Sequence, residues 1–378
     1  MHVAFLTPEY PTGPCGGIGT SVRNLAGSLV HLGHRVTVLG WGRSAEFEDR
    51  GVKVRFLAAT RLPRLGWLLN RWRAGREINL LVRQDSLQVV EAADWCGMSA
   101  FMRPRCPLVI RCNGSATYFD HLLNQKAGAL VRRTESCALR QADSLAAVSA
   151  FTAAKTAEIF ALRHPICVIP NGIDVSQFTP APEGEVEADS VLYFGTMARK
   201  KGVLDLPDIF LRLLALRPEA RLTLIGRDNP DRQTAGPSTW SLLEAAVPAE
   251  HRAKMKYLGP APYHGLQDYV RKAAVCAFPS YAEAFPLTWL EAMACAKPIV
   301  GYDLGWAREV LEPGVSGLLV PPGNTRAFAR AVAELLAAPE ERRLLGQAAR
   351  RRVEQRFSAS VVAHQTLAWY TRVLSAPR

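Results

Sequence analysis

The chain has 378 residues, a length that favours two hydrophobic cores over one. Its 48% hydrophobic and 21% charged residues exclude wholesale disorder, and no apolar run approaches the roughly 18–20 residues needed to cross a bilayer. The net charge of +12 is weighted toward the start: residues 1–180 hold 21 Lys+Arg against 13 Asp+Glu (+8), and residues 181–378 hold 25 against 21 (+4). Such a balance suits phosphate-bearing ligands, nucleic acid or an anionic membrane surface, and says nothing about fold.

The opening HVAFLT (2–7) predicts a strand, and the N-terminus lacks the basic region and apolar length of a signal peptide. PTGPCGGIGTS (11–21) then opens the helix GTSVRNLAGSLVHLG (19–33), where Gly33 predicts a left-handed cap. Gly16 and Gly17 would let backbone N–H groups meet an anion at that helix N-terminus, although a plain glycine turn has the same letters. RVTVLG, VKVRFL, LQVVEA, PLVIRC, SLAAVS (144–149) and ICVIP (166–170) continue as strands. Among them RLPRLGWLLNRWRAGREINLLVRQ (61–84) carries six arginines, with Leu65, Leu68, Leu69 and Trp72 at helical spacing. A stripe at that spacing is usually core, which is the preferred reading; the alternative is a basic amphipathic helix lying on anionic lipid.

VIPNGIDVSQFTP (168–180) joins the halves through the turn signal Asn171-Gly172. Asn171 and Asp174 either face a ligand or make turn hydrogen bonds. The acidic FTPAPEGEVEADS (178–190) reads as a linker, giving expected domains 1–177 and 178–355, with a last helix in 356–378 returning to the first domain. In the second half the strands are SVLYFG (190–195), RLTLIG (221–226), KMKYLG (254–259), AVCAFPS (274–280) and KPIVGYD (297–303). YFGTMARKKG (193–202) puts Thr196, Arg199, Lys200 and Lys201 after a strand, suited to phosphate or merely a solvated basic turn. Arg227 ends the next strand in LIGRD. The eight cysteines are scattered without CxxC pairs or His at ligand spacing, and read as reduced packing residues of a cytosolic protein.

YAEAFPLTWLEAMACAKPIV (281–300) raises a sharper question. Glu283 falls in a loop after a strand and Glu291 in the second turn of a helix entered at Pro286, amid Phe285, Leu287, Trp289, Leu290 and Met293. Burying a carboxylate is costly without a partner, so the two acids are predicted to accept hydroxyls from a sugar or ribose. Strand–helix alternation with apolar strands implies parallel sheets covered on both faces, twice over: α/β, two Rossmann-like domains. Ligands then lie beyond the carboxyl ends of the strands, where these loops are.

PSYAEAFPLTWLEAMACAKPIV resembles the E-x-F-G-x(4)-E segment of retaining GT-B glycosyltransferases of family 4, with Glu283, Phe285 and Glu291 in register. VIPNGIDVSQF, FGTMARKKG and CGGIGTSVRNLAGSLVHLGHRVTVL are similar to three further motifs of that family, in the same order. The resemblance implies a GT-B fold, two Rossmann-like domains with parallel sheets facing a central cleft. It implies transfer of a sugar, with retention, from a nucleoside-diphosphate sugar to a glycan, lipid-linked or small-molecule acceptor, without metal or other cofactor. Lys201 and a nearby Arg would neutralise the departing diphosphate, Glu291 would hold the ribose and Glu283 the sugar. Gly16, Gly17, Asn171, Thr196, Phe285 and Leu287 would complete the donor site. Thr196 stands where the family has Arg, so Arg199 or Arg227 would supply that charge. Pro286 replaces the glycine of E-x-F-G, and Asn113 in RCNG replaces a histidine near the transferred sugar. Rival readings are a GT-B nucleotide-sugar epimerase or phosphorylase, and a basic nucleic-acid-binding protein, which lacks a reading motif. The expected place is the cytoplasm, with peripheral contact to the inner face of the membrane left open.

Overall fold

The apolar runs resolve into two α/β units in the computed structural model, which describes every residue except 12–14, 183, 232, 235, 237, 377 and 378. Three residues of the first Gly-rich loop, Thr12 to Pro14, therefore lie outside the described residues. Unit 1 comprises Met1–Gly172 and Ala359–Arg378; unit 2 is Ile173–Ser358. The chain changes unit five residues earlier than the expected 177/178 boundary and returns three later than 355/356.

Unit 1 contains β1 (His2–Leu6), β2 (Arg35–Gly42), β3 (Ala45–Asp49), β4 (Val52–Ala58), β5 (Val89–Ala93), β6 (Leu108–Cys112), β7 (Ser144–Ala147) and β8 (Ile166–Val168). They form one 8-stranded sheet in the order β3-β4-β2-β1-β5-β6-β7-β8. Every pairing is parallel except that of β3, an unanticipated edge strand antiparallel to β4. Helices α1 (Gly17–His31), α2 (Gly66–Gln84), α3 (Ala116–Leu122), α4 (Ala129–Gln141) and α5 (Ala150–Phe160) connect them. The two-residue period of β1 splits its side chains between both faces. Ala4 and Leu6 join a core with Ile78 of α2, whereas Val3 and Phe5 join another with Leu25 and Leu29 of α1. Gly33 closes α1 in a left-handed conformation (φ +82°).

The helix Ala359–Ser375 packs on unit 1, burying Val362, Ala363, Trp369 and Tyr370 in the α1-side core. Its polar groups complete a buried network. Arg111 pairs with Glu91 through Nε–Oε1 (2.8 Å) and Nη2–Oε2 (3.1 Å), Tyr370 donates to Glu91 Oε2 (2.7 Å), and Arg111 Nη2 reaches Thr366 Oγ1 (3.1 Å). Removing one member of such a pair costs about 3–5 kcal/mol, because its partner stays buried and charged.

The structure corrects the preferred reading of residues 61–84. The buried face of α2 is Gly66, Asn70, Arg71, Ala74, Gly75 and Ile78. Leu65, Leu68 and Trp72 point to solvent instead, Trp72 at 62% exposure. Arg71 is inside because its guanidinium is satisfied three times, by Gly97 O (3.0 Å), Trp67 O (2.9 Å) and Cys96 O (2.7 Å).

Unit 2 contains β9 (Ser190–Phe194), β10 (Arg221–Ile225), β11 (Met255–Tyr257), β12 (Val275–Phe278), β13 (Ile299–Tyr302) and β14 (Leu318–Val320). They form a 6-stranded parallel sheet in the order β11-β10-β9-β12-β13-β14. The order reverses between β9 and β12, and in such sheets the ligand crevice opens at that point. Among the described residues no helix of either unit is long and apolar enough to cross a membrane.

Candidate active site

The loops leaving β9 and β12 meet at this reversal. Gly202 enforces the meeting: its φ is +66°, and a Cβ there would lie 1.6 Å from Pro279 O. Only glycine allows so close an approach. Tyr281 and Ala282 then donate their N–H groups to Lys200 O at 2.9 and 3.1 Å. This crossing delivers Lys201 Nζ to Glu283 Oε1 at 2.5 Å, with the Glu283 side chain 7% exposed and that of Lys201 20%. A cation and an anion sharing one half-buried place can be divided again between a ligand's phosphate and its hydroxyls.

Glu291 lies in the second turn of the helix Leu287–Ala294 and is buried. Burial pushes its carboxyl up to about 7, while the Tyr263 hydroxyl and the charge of Lys201 act in the other direction. Phe285 and Leu287 are buried, Phe285 edge-on to Phe357 at 5.3 Å, so a donor contact from either would have to come through the main chain. Thr196 accepts the Tyr193 hydroxyl on its carbonyl at 2.9 Å.

The two arginines that could stand in for the missing family arginine differ sharply. Arg199 is bound in a fork to Asp231, Nε–Oδ1 at 3.0 Å and Nη2–Oδ2 at 2.7 Å, which holds the Asp231 carboxyl well below the usual carboxylate range. Arg227 is exposed and makes no ion pair among the described residues. Its carbonyl accepts from Met197 N–H at 2.9 Å, which ties the end of β10 to the phosphate-type loop.

In unit 1, Gly16 and Gly17 are exposed at the start of α1, but an anion from the chain itself already sits there. Glu9 takes the N–H of Gly16 (2.9 Å) and of Gly19 (3.1 Å) on its two carboxylate oxygens. A phosphate could reach the Gly16 N–H only by moving Glu9. Asn171 is buried with its Oδ1 accepting from Ser21 Oγ at 2.7 Å, and Asn24 Nδ2 donates to Gly172 O, so this turn is fastened to α1. Asp174 accepts from Ser176 N–H and Oγ, the turn alternative of the two weighed from sequence.

Asn113 follows β6. Its N–H donates to Asp94 Oδ1 (3.0 Å) and its Nδ2 to Arg111 O (3.2 Å), while its Oδ1 is buried without a partner among the described residues. Sequence reasoning missed Asp94, the residue directly after β5, which accepts that N–H. Burial, aided by Glu135, pushes the Asp94 carboxyl up to about 8, and its Oδ2 is likewise unpartnered. The available signal was an acid directly after an apolar strand. Among the described residues no three His, Cys, Asp or Glu gather as metal ligands would.

Two Rossmann-like units with polar groups beyond the strands' carboxyl ends are the parts from which GT-B enzymes are built. Two adjoining family models match, "Glycosyltransferase Family 4" over residues 15–177 and "Glycosyl transferases group 1" over residues 178–352. The chain belongs to the family 4 glycosyltransferases of the GT-B fold, and it is a glycosyltransferase. It is similar to glycogen synthase of Mycobacterium tuberculosis, 28% identical over 400 residues that cover 98% of this chain and 94% of that one. Among solved structures it is similar in fold to sucrose-phosphate synthase of Thermosynechococcus elongatus, with TM-score 0.81, 22% identity and 100% of both chains covered. It is also similar in fold to Anabaena HepE in complex with UDP and glucose, with TM-score 0.77, 19% identity, and 98% and 100% covered.

Proposed function

We propose that this glycosyltransferase takes its sugar from a nucleoside diphosphate, uridine diphosphate foremost, and passes it to an acceptor hydroxyl with retention and without a metal ion. The observation that carries the reading is the Lys201–Glu283 pair at the strand-order reversal, with buried Glu291 within its electrostatic reach. Lys201 and exposed Arg227 are the cations suited to the two phosphates. Glu291 suits the ribose hydroxyls and Glu283 the sugar hydroxyls, since a carboxylate accepts from two neighbouring hydroxyls at once. Uridine is preferred because HepE, similar in fold, was solved with UDP and glucose.

In the step itself the bond from the anomeric carbon to the phosphate oxygen breaks. The acceptor oxygen bonds to that carbon on the same face, and its proton passes to the departing phosphate. No protein nucleophile enters. The protein contributes by positioning the partners and by placing positive charge where the leaving group gains negative charge. A thermal-shift series over UDP, GDP, ADP and TDP should single out one base. Incubation of the matching donor with acceptor should give a product of unchanged anomeric configuration, in EDTA as well as without it. Failure of every nucleoside diphosphate to bind, an inverted product, or EDTA inhibition reversed by Mg²⁺ or Mn²⁺ would each overturn the corresponding part.

A second reading concerns place of action. The outward face of α2 and its approach presents Leu62, Leu65, Leu68 and Trp72 beside exposed Arg61, Arg64 and Arg76. That chemistry suits docking on an anionic lipid surface, where each arginine contributes about 1 kcal/mol.

A further inference from the structure

Unit 1 carries an open cavity with charged side chains in its wall. It occupies about 480 Å³ beside α3, the segment leading into α4, and the end of α5, and is lined by Thr117, His121, Lys126, Arg132, Glu158 and Ile159. That volume lies within the range of small-molecule sites. Its charge is unbalanced toward positive. Glu158 is already held by Lys155 at 2.8 Å and faces His121 at 3.9 Å. Among the described residues Lys126 makes no ion pair, and Arg132 Nη2 reaches the Ile159 carbonyl, at 3.4 Å. At the inner wall Thr117 is 3% exposed, and its Oγ1 has no hydrogen-bond partner among the described residues. A buried hydroxyl without a partner is costly, and an oxygen of a ligand in this cavity would satisfy it.

The position of the cavity says which ligand. Thr117 stands four residues beyond Asn113, just past the carboxyl end of β6, on the ligand-binding edge of this sheet. The residues suited to the donor belong to unit 2. We propose that this cavity grips the anionic group, a phosphate or a carboxylate, of the molecule whose hydroxyl receives the sugar. Lys126 and Arg132 supply the charge, and Thr117 donates from the inner wall. The assignment of the ligand as acceptor rests on the glycosyl transfer proposed above.

Inorganic phosphate is the probe. Titrated calorimetrically into the full chain saturated with UDP, at fixed ionic strength, it should bind the wild type. Its affinity should fall about tenfold or more in the exposed-residue double variant Lys126→Ala/Arg132→Ala, as loss of charge-assisted hydrogen bonds predicts. Thr117→Val, which keeps the shape and removes the hydroxyl, should weaken phosphate a few-fold, and UDP affinity should be unchanged in both variants. No phosphate binding by the wild type, or equal binding by the variants, overturns the site. Acceptors offered as matched pairs with and without a phosphate monoester separate an acceptor site from an effector site. The charged member should be the better substrate, and its advantage should shrink in the double variant. Equal use of both members, or an advantage that survives the double variant, overturns the acceptor role. Failure of UDP to bind would strike the donor reading alone, since the phosphate titration can be repeated without it.

Discussion

Donor affinity should rise with pH as Glu291 ionises. Burial pushes this carboxyl up to about 7 in the free enzyme. If only the carboxylate accepts from the ribose, the apparent Kd scales as one plus ten to the power of pKa minus pH. Between pH 6 and pH 8 that factor falls from about 11 to about 1.1, a tightening of about tenfold or about 1.4 kcal/mol. UDP-glucose is the ligand to titrate, because the terminal phosphate of UDP itself changes charge near pH 6, whereas the bridged diphosphate does not. Glu291→Gln should flatten the profile and weaken binding at pH 8 by about 1.5–3 kcal/mol. Stability should move oppositely. A carboxyl at about 7 when folded and 4.5 when exposed binds more protons in the folded state, so stability is lost as pH rises through that window and levels off above it. The loss is about 3 kcal/mol, from about 1.4 kcal/mol for each pH step of the shift. Glu291→Gln should therefore melt above the wild type at pH 8 and no higher at pH 4. A flat wild-type affinity profile, or one that the variant retains, refutes the ribose assignment.

Three further outcomes test the site and its surroundings. Lys201→Ala should lower kcat more than it raises KM, and should lower Tm because buried Glu283 loses the neighbouring Lys201 charge; adding Glu283→Gln should restore Tm but not turnover, and a normal kcat would contradict the role. Gly202→Ala should cost more than about 1 kcal/mol of stability and abolish UDP binding, given its left-handed conformation and the Pro279 carbonyl in its way; unchanged melting and binding would show that the loop crossing is not required. The full chain should co-sediment with phosphatidylserine-containing vesicles at low salt and be released at high salt, and Arg61→Glu/Arg64→Glu/Trp72→Ala should not pellet; absence of wild-type pelleting at low salt would refute the lipid docking.

Lys201 and Glu283 were legible because each is the kind of residue that stands out where it occurs: a cation cluster and a lone acid in loops that directly follow apolar strands. The strand rule placed both loops on the same edge, and Gly202 supplies the physical reason they touch. The helix after Ala359 was expected on the first domain, although nothing in its letters announced Tyr370 as a partner of Glu91. The failures share a cause. Counting periodicity treated Leu65, Leu68 and Trp72 as inward residues and gave no sign that Arg71 is buried. Small Ala74 and Gly75 turn the other face of α2 toward the unit, and three carbonyls satisfy the guanidinium. Glu9 was invisible for a related reason, since its partners are backbone N–H groups seven and ten residues ahead whose direction depends on the folded loop. A polar side chain satisfied by main chain leaves no pattern in sequence.

Asp94 and Glu291 are both acids whose titration is set by burial. Each is a buried acid near the carboxyl edge of its own sheet, held up at about 8 and about 7. Asp94 differs in having one oxygen occupied by the Asn113 N–H and the other, with Asn113 Oδ1, unpartnered among the described residues. Below its pKa the Asp94 carboxyl is neutral and can both donate and accept, and two buried polar atoms left without a partner among the described residues are unfavourable for folding unless an incoming hydroxyl meets them. Asp94→Asn preserves an oxygen for the Asn113 N–H while removing the titratable charge. It should hold or raise Tm at pH 9, where the wild-type carboxyl is forced to ionise in its buried place. If the acid serves the incoming hydroxyl, the same change should lower kcat/KM for the acceptor and leave the KM for donor alone. The pH–rate profile of the wild type should also carry an inflection near 8 that the variant lacks. A variant that melts lower and transfers sugar at the wild-type rate would reduce Asp94 to a structural support for the turn at Asn113.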